Sequence, residues 1–176
     1  MSIENKKREV LLSKEAIENR VAELGVELTE AYKDKNLLVI SLLKGSFIFT
    51  ADLVRKIDLP VRIEFMTTSS YGHGEETSGK LKVVQDVQVS LEAYDVLVVD
   101  DITDSALTMT GVVEILGERN PKSIKSCVLL DKPSRRKTEY QPDYVGFEIP
   151  DKFIVGYGLN YGDYFRNIDH VFAFVD

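Results

Sequence analysis

Val96-Leu97-Val98-Val99-Asp100-Asp101-Ile102-Thr103-Asp104-Ser105-Ala106-Leu107-Thr108 is the stretch that decides the fold. Its first four residues are apolar without alternation. A strand of that kind is covered on both faces, as in a parallel sheet. It runs into two carboxylates, then a third at Asp104, then small hydroxyl residues. A helix follows, carrying Val112, Val113 and Leu116, and stops near Asn120-Pro121 because proline disfavours helical backbone before it.

The same alternation continues outward in both directions. Leu37 to Leu43 is a second nearly continuous apolar run, followed by Lys44-Gly45-Ser46 and a predicted helix from Phe47 to Lys56. Ser123 to Leu130 and Tyr144 to Ile149 read as further strands, and Val171 to Val175 as the last. Upstream, Ile17, Val21, Leu24, Leu28, Ala31 and Tyr32 recur at helical spacing behind Ser13, a good N-cap. Val61 to Met66 alternates and reads as a half-buried strand, with a short one at Val83-Val84. Between them, Thr67 to Lys80 is polar, contains Gly72, Gly74 and Gly79, and reads as a long loop. Loops of that length in compact domains are usually functional or mobile.

Strands alternating with helices predict an α/β fold with a mostly parallel central sheet. Ligands in such sheets sit at the carboxyl ends of the strands. Lys44-Gly45, Asp100-Asp101 and Asp131-Lys132 each follow a strand. Three separate segments therefore bring polar groups to one sheet edge.

Composition sets the outer bounds. A chain of 176 residues suits one domain, expected here over 1–176. The net charge of −7 argues against a general nucleic-acid or anionic-membrane binder. Cys127, the single cysteine, lies in an apolar run and reads as a buried small hydrophobe. With no apolar stretch long enough to span a membrane, the expected location is cytoplasmic. Arg135-Arg136-Lys137 reads as a solvated turn, with a second-layer phosphate contact or an oligomer contact as the alternative.

The deciding stretch has two chemical halves. Amides and hydroxyls at a helix N-terminus bind phosphate. Carboxylates immediately upstream would repel it, and suit hydroxyl groups or a metal ion instead. A phosphorylated sugar with vicinal hydroxyls and Mg²⁺ satisfies both halves, and 5-phosphoribosyl-1-pyrophosphate (PRPP) is such a ligand.

The stretch resembles the PRPP-binding signature of type I phosphoribosyltransferases. Three further segments resemble the hypoxanthine-guanine branch of that family: Leu43-Lys44-Gly45, its pyrophosphate loop; Ser70-Tyr71, within its mobile lid; and Val145 to Tyr157, its purine-binding segment. The resemblance implies a type I fold with a lid at about 67–80 and a hood segment at about 144–170. It implies that Asp100 and Asp101 hold the ribose hydroxyls and Mg²⁺, and that Asp104 is the acid/base group facing purine N7. Asp104, Ser105, Ala106, Leu107 and Thr108 would cradle the 5′-phosphate. Lys44, Gly45 and Arg166 would meet pyrophosphate, with the Leu43–Lys44 peptide cis. Lys132 would donate to the purine 6-oxo group, Phe153 would stack on the base, and the backbone through Ile154 would read its edge. The partners implied are PRPP and a 6-oxopurine, and the assembly a homodimer or homotetramer, with neither nucleic acid nor membrane. The sequence departs from the family pattern twice. Ala106 stands where glycine is usual, and Asn160 stands where an aspartate near the metal is usual, making it a weak metal ligand.

Other acidic-strand-end families fit less well. A receiver domain needs its acidic pair after the first strand, and a haloacid-dehalogenase-type phosphatase needs aspartates two positions apart. A non-catalytic nucleotide-binding regulator of RNA is the remaining alternative, although the chain offers only short basic clusters.

Overall fold

The computed structural model describes residues 5–70 and 81–175. The order of elements is β1 (Lys7–Leu12), α1 (Lys14–Ala31), β2 (Leu37–Leu43), α2 (Phe47–Val54), β3 (Arg62–Ser70), β4 (Leu81–Gln85), β5 (Asp95–Thr103), α3 (Leu107–Gly117), β6 (Ser123–Asp131), β7 (Tyr144–Glu148), β8 (Ile154–Val155) and β9 (Val171–Val175). A six-stranded sheet runs β4-β3-β2-β5-β6-β7, and a three-stranded sheet runs β1-β9-β8. Every pairing in the larger sheet is parallel except β3 with β4. The smaller sheet is antiparallel.

The continuous apolar runs are explained by two cores, one on each face of the large sheet. Leu37 and Val39 of β2 and Leu97 and Val99 of β5 join Ile17, Val21, Leu24 and Leu28 of α1. Leu38, Ile40, Val96 and Val98 point the other way, against Met109, Val112 and Leu116 of α3. Because neighbouring residues of a strand face opposite sides, both sets must be apolar. Ser13 caps α1 as its type predicts, with its hydroxyl accepting from the Ala16 amide at 3.1 Å. Cys127 is fully buried.

Registers place the site. Ser41 lies beside Val99 and Thr103 beside Asp131. The carboxyl ends of β2, β5 and β6 therefore finish at one edge of the sheet.

Three expectations need correction. The loop expected at 67–80 is too long at its start. Thr67–Ser70 continues β3, pairing Thr67 with Leu43 on one side and Ser70 with Leu81 on the other. A β3–β4 ribbon at the sheet edge needs little apolar surface, so hydroxyl residues there look like a loop. Tyr71 and the remaining lid segment lie outside the described residues. The hood expected at 144–170 begins later, because Tyr144–Glu148 is the edge strand β7 of the large sheet. The small sheet is instead completed by β1, which opens on the polar run Lys7-Arg8-Glu9 and gave no strand signal. Arg8, with Lys6 just before the strand, explains that polarity. Arg8 lies over Phe165 and Phe172 at 5.2 and 4.9 Å, and Lys6 over Tyr161 and Phe174 at 5.6 and 5.8 Å. Cations above aromatic faces stabilise the pairing without an apolar strand.

Candidate active site

The chain leaves β2 through a cis Leu43–Lys44 peptide, as the resemblance implied. Gly45 then passes so close to Asp101 that a Cβ would collide with its carboxylate. Gly158, with φ of 98°, packs equally tightly on the Gly45 carbonyl. Arg166 donates to the Gly158 carbonyl at 2.7 Å, and the Gly158 amide donates to the Arg166 carbonyl at 2.9 Å. The Arg166 charge also acts on Asp101. Lys44, Gly45, Asp101, Gly158 and Arg166 thus form one cluster, although more than a hundred residues separate its ends.

The acidic pair is held apart from ordinary solvation. The Asp101 amide donates to Asp100 at 2.9 Å and the Ile102 amide to Asp101 at 2.8 Å. Burial pushes the Asp100 carboxyl well above the ordinary carboxylate range, and the Asp101 charge adds to the effect. Asp101 is raised less, because hydrogen bonds from Asp100 and Ile102 and the charge of Arg166 oppose its burial. Two crowded carboxylates with too little positive charge constitute a site that favours a cation. Among the described residues no cluster of three metal-ligating side chains exists. The Asp100 and Asp101 carboxylates could hold a hard cation such as Mg²⁺, which takes one or two carboxylates and keeps several waters.

The Asp104–Thr108 loop is braced from behind. The Asp104 carbonyl accepts from Arg136 at 3.1 Å. The Ser105 carbonyl accepts from the Lys137 amide at 2.9 Å. The Ala106 carbonyl accepts from the Thr110 amide at 2.9 Å and its hydroxyl at 2.6 Å. With its carbonyls tied back, the loop presents the first-turn amides of α3, which no helix can satisfy internally. The Ser105 amide donates to the Asp104 carboxylate, and the Leu107 amide to the Ser105 hydroxyl at 3.3 Å. A cleft of about 70 Å³ opens here, lined by Asp100, Thr103, Asp104, Ser105, Ala106 and Thr108 among others. A larger cavity of about 460 Å³ lies between α1, α2 and Tyr157. Its polar lining is Glu18, Asp52, Arg55, Lys56 and Tyr157, and there Asp52 already pairs with Arg55 and accepts from the Tyr157 hydroxyl, so chemistry rather than size marks the site.

Ala106 occupies the left-handed region, with φ of 64°. The steric cost for alanine there is about 1–2 kcal/mol. Two effects offset it. The residue is buried, and a methyl group contributes about 0.8 kcal/mol. Alanine also lowers unfolded-chain entropy, worth about 0.4–1 kcal/mol. Ala106→Gly should therefore shift unfolding free energy by less than about 1 kcal/mol in either direction, as read by urea denaturation. A larger shift would contradict the offset between left-handed strain and methyl burial at Ala106.

The purine-side residues are divided between roles. Lys132 is buried; its amide donates to the Thr103 carbonyl at 2.8 Å and its ammonium to the Lys152 carbonyl at 2.6 Å. Phe153 is 65% exposed, leaving a ring face open, and meets Tyr161 edge-on at 5.8 Å. The Ile154 side chain is buried in the core, so only its backbone can face a ligand. Asn160 is exposed, and its amide donates to the Gly162 carbonyl at 2.6 Å.

The expected solvated turn at Arg135-Arg136-Lys137 is also corrected. Arg135 is exposed, but the Arg136 side chain is only 10% exposed and pairs with Asp131, itself 7% exposed. A run of three basic residues hides which one is buried, because its partner lies at a strand end and at a loop carbonyl.

An acidic strand end, a braced phosphate-type helix start and a lysine–glycine loop, joined at one edge of this sheet, define a phosphoribosyltransferase-type protein. The chain belongs to the phosphoribosyl transferase domain family, which matches residues 8–162, and within it to the hypoxanthine-guanine phosphoribosyltransferases. It is 48% identical over 175 residues to the hypoxanthine-guanine phosphoribosyltransferase of Aquifex aeolicus, covering 99% of this chain and 98% of that one. It is 48% identical to the hypoxanthine phosphoribosyltransferase of Haemophilus influenzae, covering 93% of each. A crystal structure of a Staphylococcus aureus hypoxanthine phosphoribosyltransferase superposes with a TM-score of 0.93 at 41% identity, covering 98% of this chain and 93% of that one.

Proposed function

We propose that this protein transfers the phosphoribosyl group of PRPP to N9 of hypoxanthine or guanine, releasing pyrophosphate and forming IMP or GMP. The observation that carries this reading is the juxtaposition of the crowded Asp100–Asp101 pair with the backward-braced Asp104–Thr108 loop. The first selects ribose hydroxyls and a cation, and the second selects a 5′-phosphate. The 48% identity over nearly the whole chain supports the same reading and disfavours a non-catalytic regulator.

The bond from ribose C1 to the pyrophosphate oxygen breaks, and purine N9 bonds to C1. Asp104 accepts the proton from N7. Lys44 and Arg166 meet the charge growing on pyrophosphate through groups already in place. Lys132 donates to the 6-oxo group, and Phe153 covers the ring. Asp100 and Asp101 would hold Mg²⁺, with Asn160 a weak further oxygen, and the ion would supply charge neutralisation for the leaving group. The segment that follows β3, through Lys80, serves as the lid and 1–176 as one catalytic domain, active as a homodimer or homotetramer in the cytoplasm. No helix among the described residues is long and apolar enough to cross a membrane.

The test offers PRPP and Mg²⁺ with hypoxanthine, guanine, xanthine or adenine in separate reactions, and chromatography follows the nucleotide. IMP and GMP are expected, with no AMP. Absence of product from every base would overturn the reading.

A further inference from the structure

We infer that Arg136 is a positioning residue that fixes the phosphate loop and the purine-side lysine relative to one another. The inference rests on the site reading given above. Its basis is the set of groups that one guanidinium holds. Nη1 lies 2.8 Å from Asp131 Oδ1, and Nη2 donates to Asp131 Oδ2 at 3.1 Å. Nη1 also donates to the Asp104 carbonyl at 3.1 Å, and Nε to the Tyr140 carbonyl at 2.9 Å. Nη2 further meets Gln141 Oε1 at 3.3 Å. Asp131 directly precedes Lys132, and Asp104 opens the phosphate loop.

The neighbouring residues reinforce the link. The Lys137 amide holds the Ser105 carbonyl at 2.9 Å. The Thr138 hydroxyl meets Thr110 Oγ1 at 3.1 Å, and Thr110 Oγ1 holds the Ala106 carbonyl. Segment 136–138 thus touches, directly or through Thr110, three consecutive carbonyls of the loop. Each carbonyl held on this side turns the next amide toward the opposite side. Arg136 alone extends the brace across to Asp131. A planar fork can reach the Asp131 carboxylate, the Asp104 and Tyr140 carbonyls and Gln141 Oε1 at once from three separate nitrogens; a lysine ammonium, with its protons on one atom, cannot span them.

Removing Arg136 also leaves Asp131 charged and buried, so a simple loss of activity would not separate positioning from folding. A combined variant does. Arg136→Gln should lower the thermal midpoint by roughly 10 °C, because one member of a buried pair remains alone. It should also lower kcat/KM for PRPP by about 10²-fold, the scale of a small misplacement of reacting groups. Adding Asp131→Asn removes the orphaned charge. The double variant should regain most of the thermal midpoint but stay about 10²-fold slow, with weakened IMP binding by calorimetry. Arg136→Lys should keep the midpoint within a few degrees yet lose roughly tenfold in kcat/KM, through loss of the shared bond to Asp104.

If the double variant recovers turnover and IMP affinity together with stability, Arg136 is structural only and the inference is overturned. The unaltered chain keeps the two failures distinct. If it forms no nucleotide, the functional reading fails, and the comparison of IMP affinity between parent and double variant still decides the role of Arg136.

Discussion

Asp104→Asn lowers the rate of nucleotide formation by about 10²–10⁴-fold, the usual contribution of a positioned general base. The loss falls on kcat, and IMP affinity stays within a few-fold of the parent. The split follows from how the loop is held. The Asp104 carbonyl is fixed by Arg136, and the two carbonyls after it by Lys137 and Thr110, none of which involves the carboxylate. An asparagine oxygen can still accept from the Ser105 amide, as the carboxylate does. The variant therefore keeps the phosphate cradle and loses only the group that takes the N7 proton. Steady-state rates with hypoxanthine and calorimetry with IMP read the two quantities separately. A variant with kcat within tenfold of the parent would remove Asp104 from the role of base. A variant with both quantities collapsed would make it a structural member of the loop.

How far the sequence could be read depends on which residues announce their surroundings. The central strands were legible because burial on two faces demands unbroken apolar runs, as at Leu37–Leu43 and Val96–Val99. The acidic pair and the loop after it were legible because their chemistry is contiguous. β1 was not legible, because Lys6 and Arg8 face aromatic rings from residues 161–174, and a cation's preference for such a surface has no sequence period. Arg136 was hidden for a similar reason. Its burial depends on Asp131 and the Asp104 carbonyl, and a carbonyl carries no residue identity at all. Gly158 shows the same limit. Its need to lack a Cβ comes from the carbonyl of Gly45, on a loop it meets only in three dimensions.

Asp100→Asn should make the protein more stable at neutral pH while making it a poorer enzyme. The Asp100 carboxyl is raised well above its ordinary value, first by burial and then by Asp101. In the unfolded chain the same group loses its proton near pH 3.9. Between that pH and the higher native value, the native state binds more protons than the unfolded state. Stability contributed by this group is therefore present in acid and lost as pH rises through the window. Asparagine has no proton to lose and removes the dependence. At pH 7 the variant should gain about 0.5–2 kcal/mol, typical of relieving a destabilised active-site group. Near pH 3.5 the two proteins should differ little, since the carboxyl is then largely protonated in both states. Urea unfolding across this pH range measures the difference directly. The same change removes a charged acceptor for a ribose hydroxyl or Mg²⁺, and should cost about 1.5–3 kcal/mol in kcat/KM, or roughly 10–10²-fold. PRPP with Mg²⁺ should raise the thermal midpoint of the parent more than that of the variant, because the cation relieves in the parent what the substitution has already relieved. If the variant is instead less stable at pH 7, Asp100 already has a compensating partner, and its carboxylate is a structural group rather than one held ready for a cation.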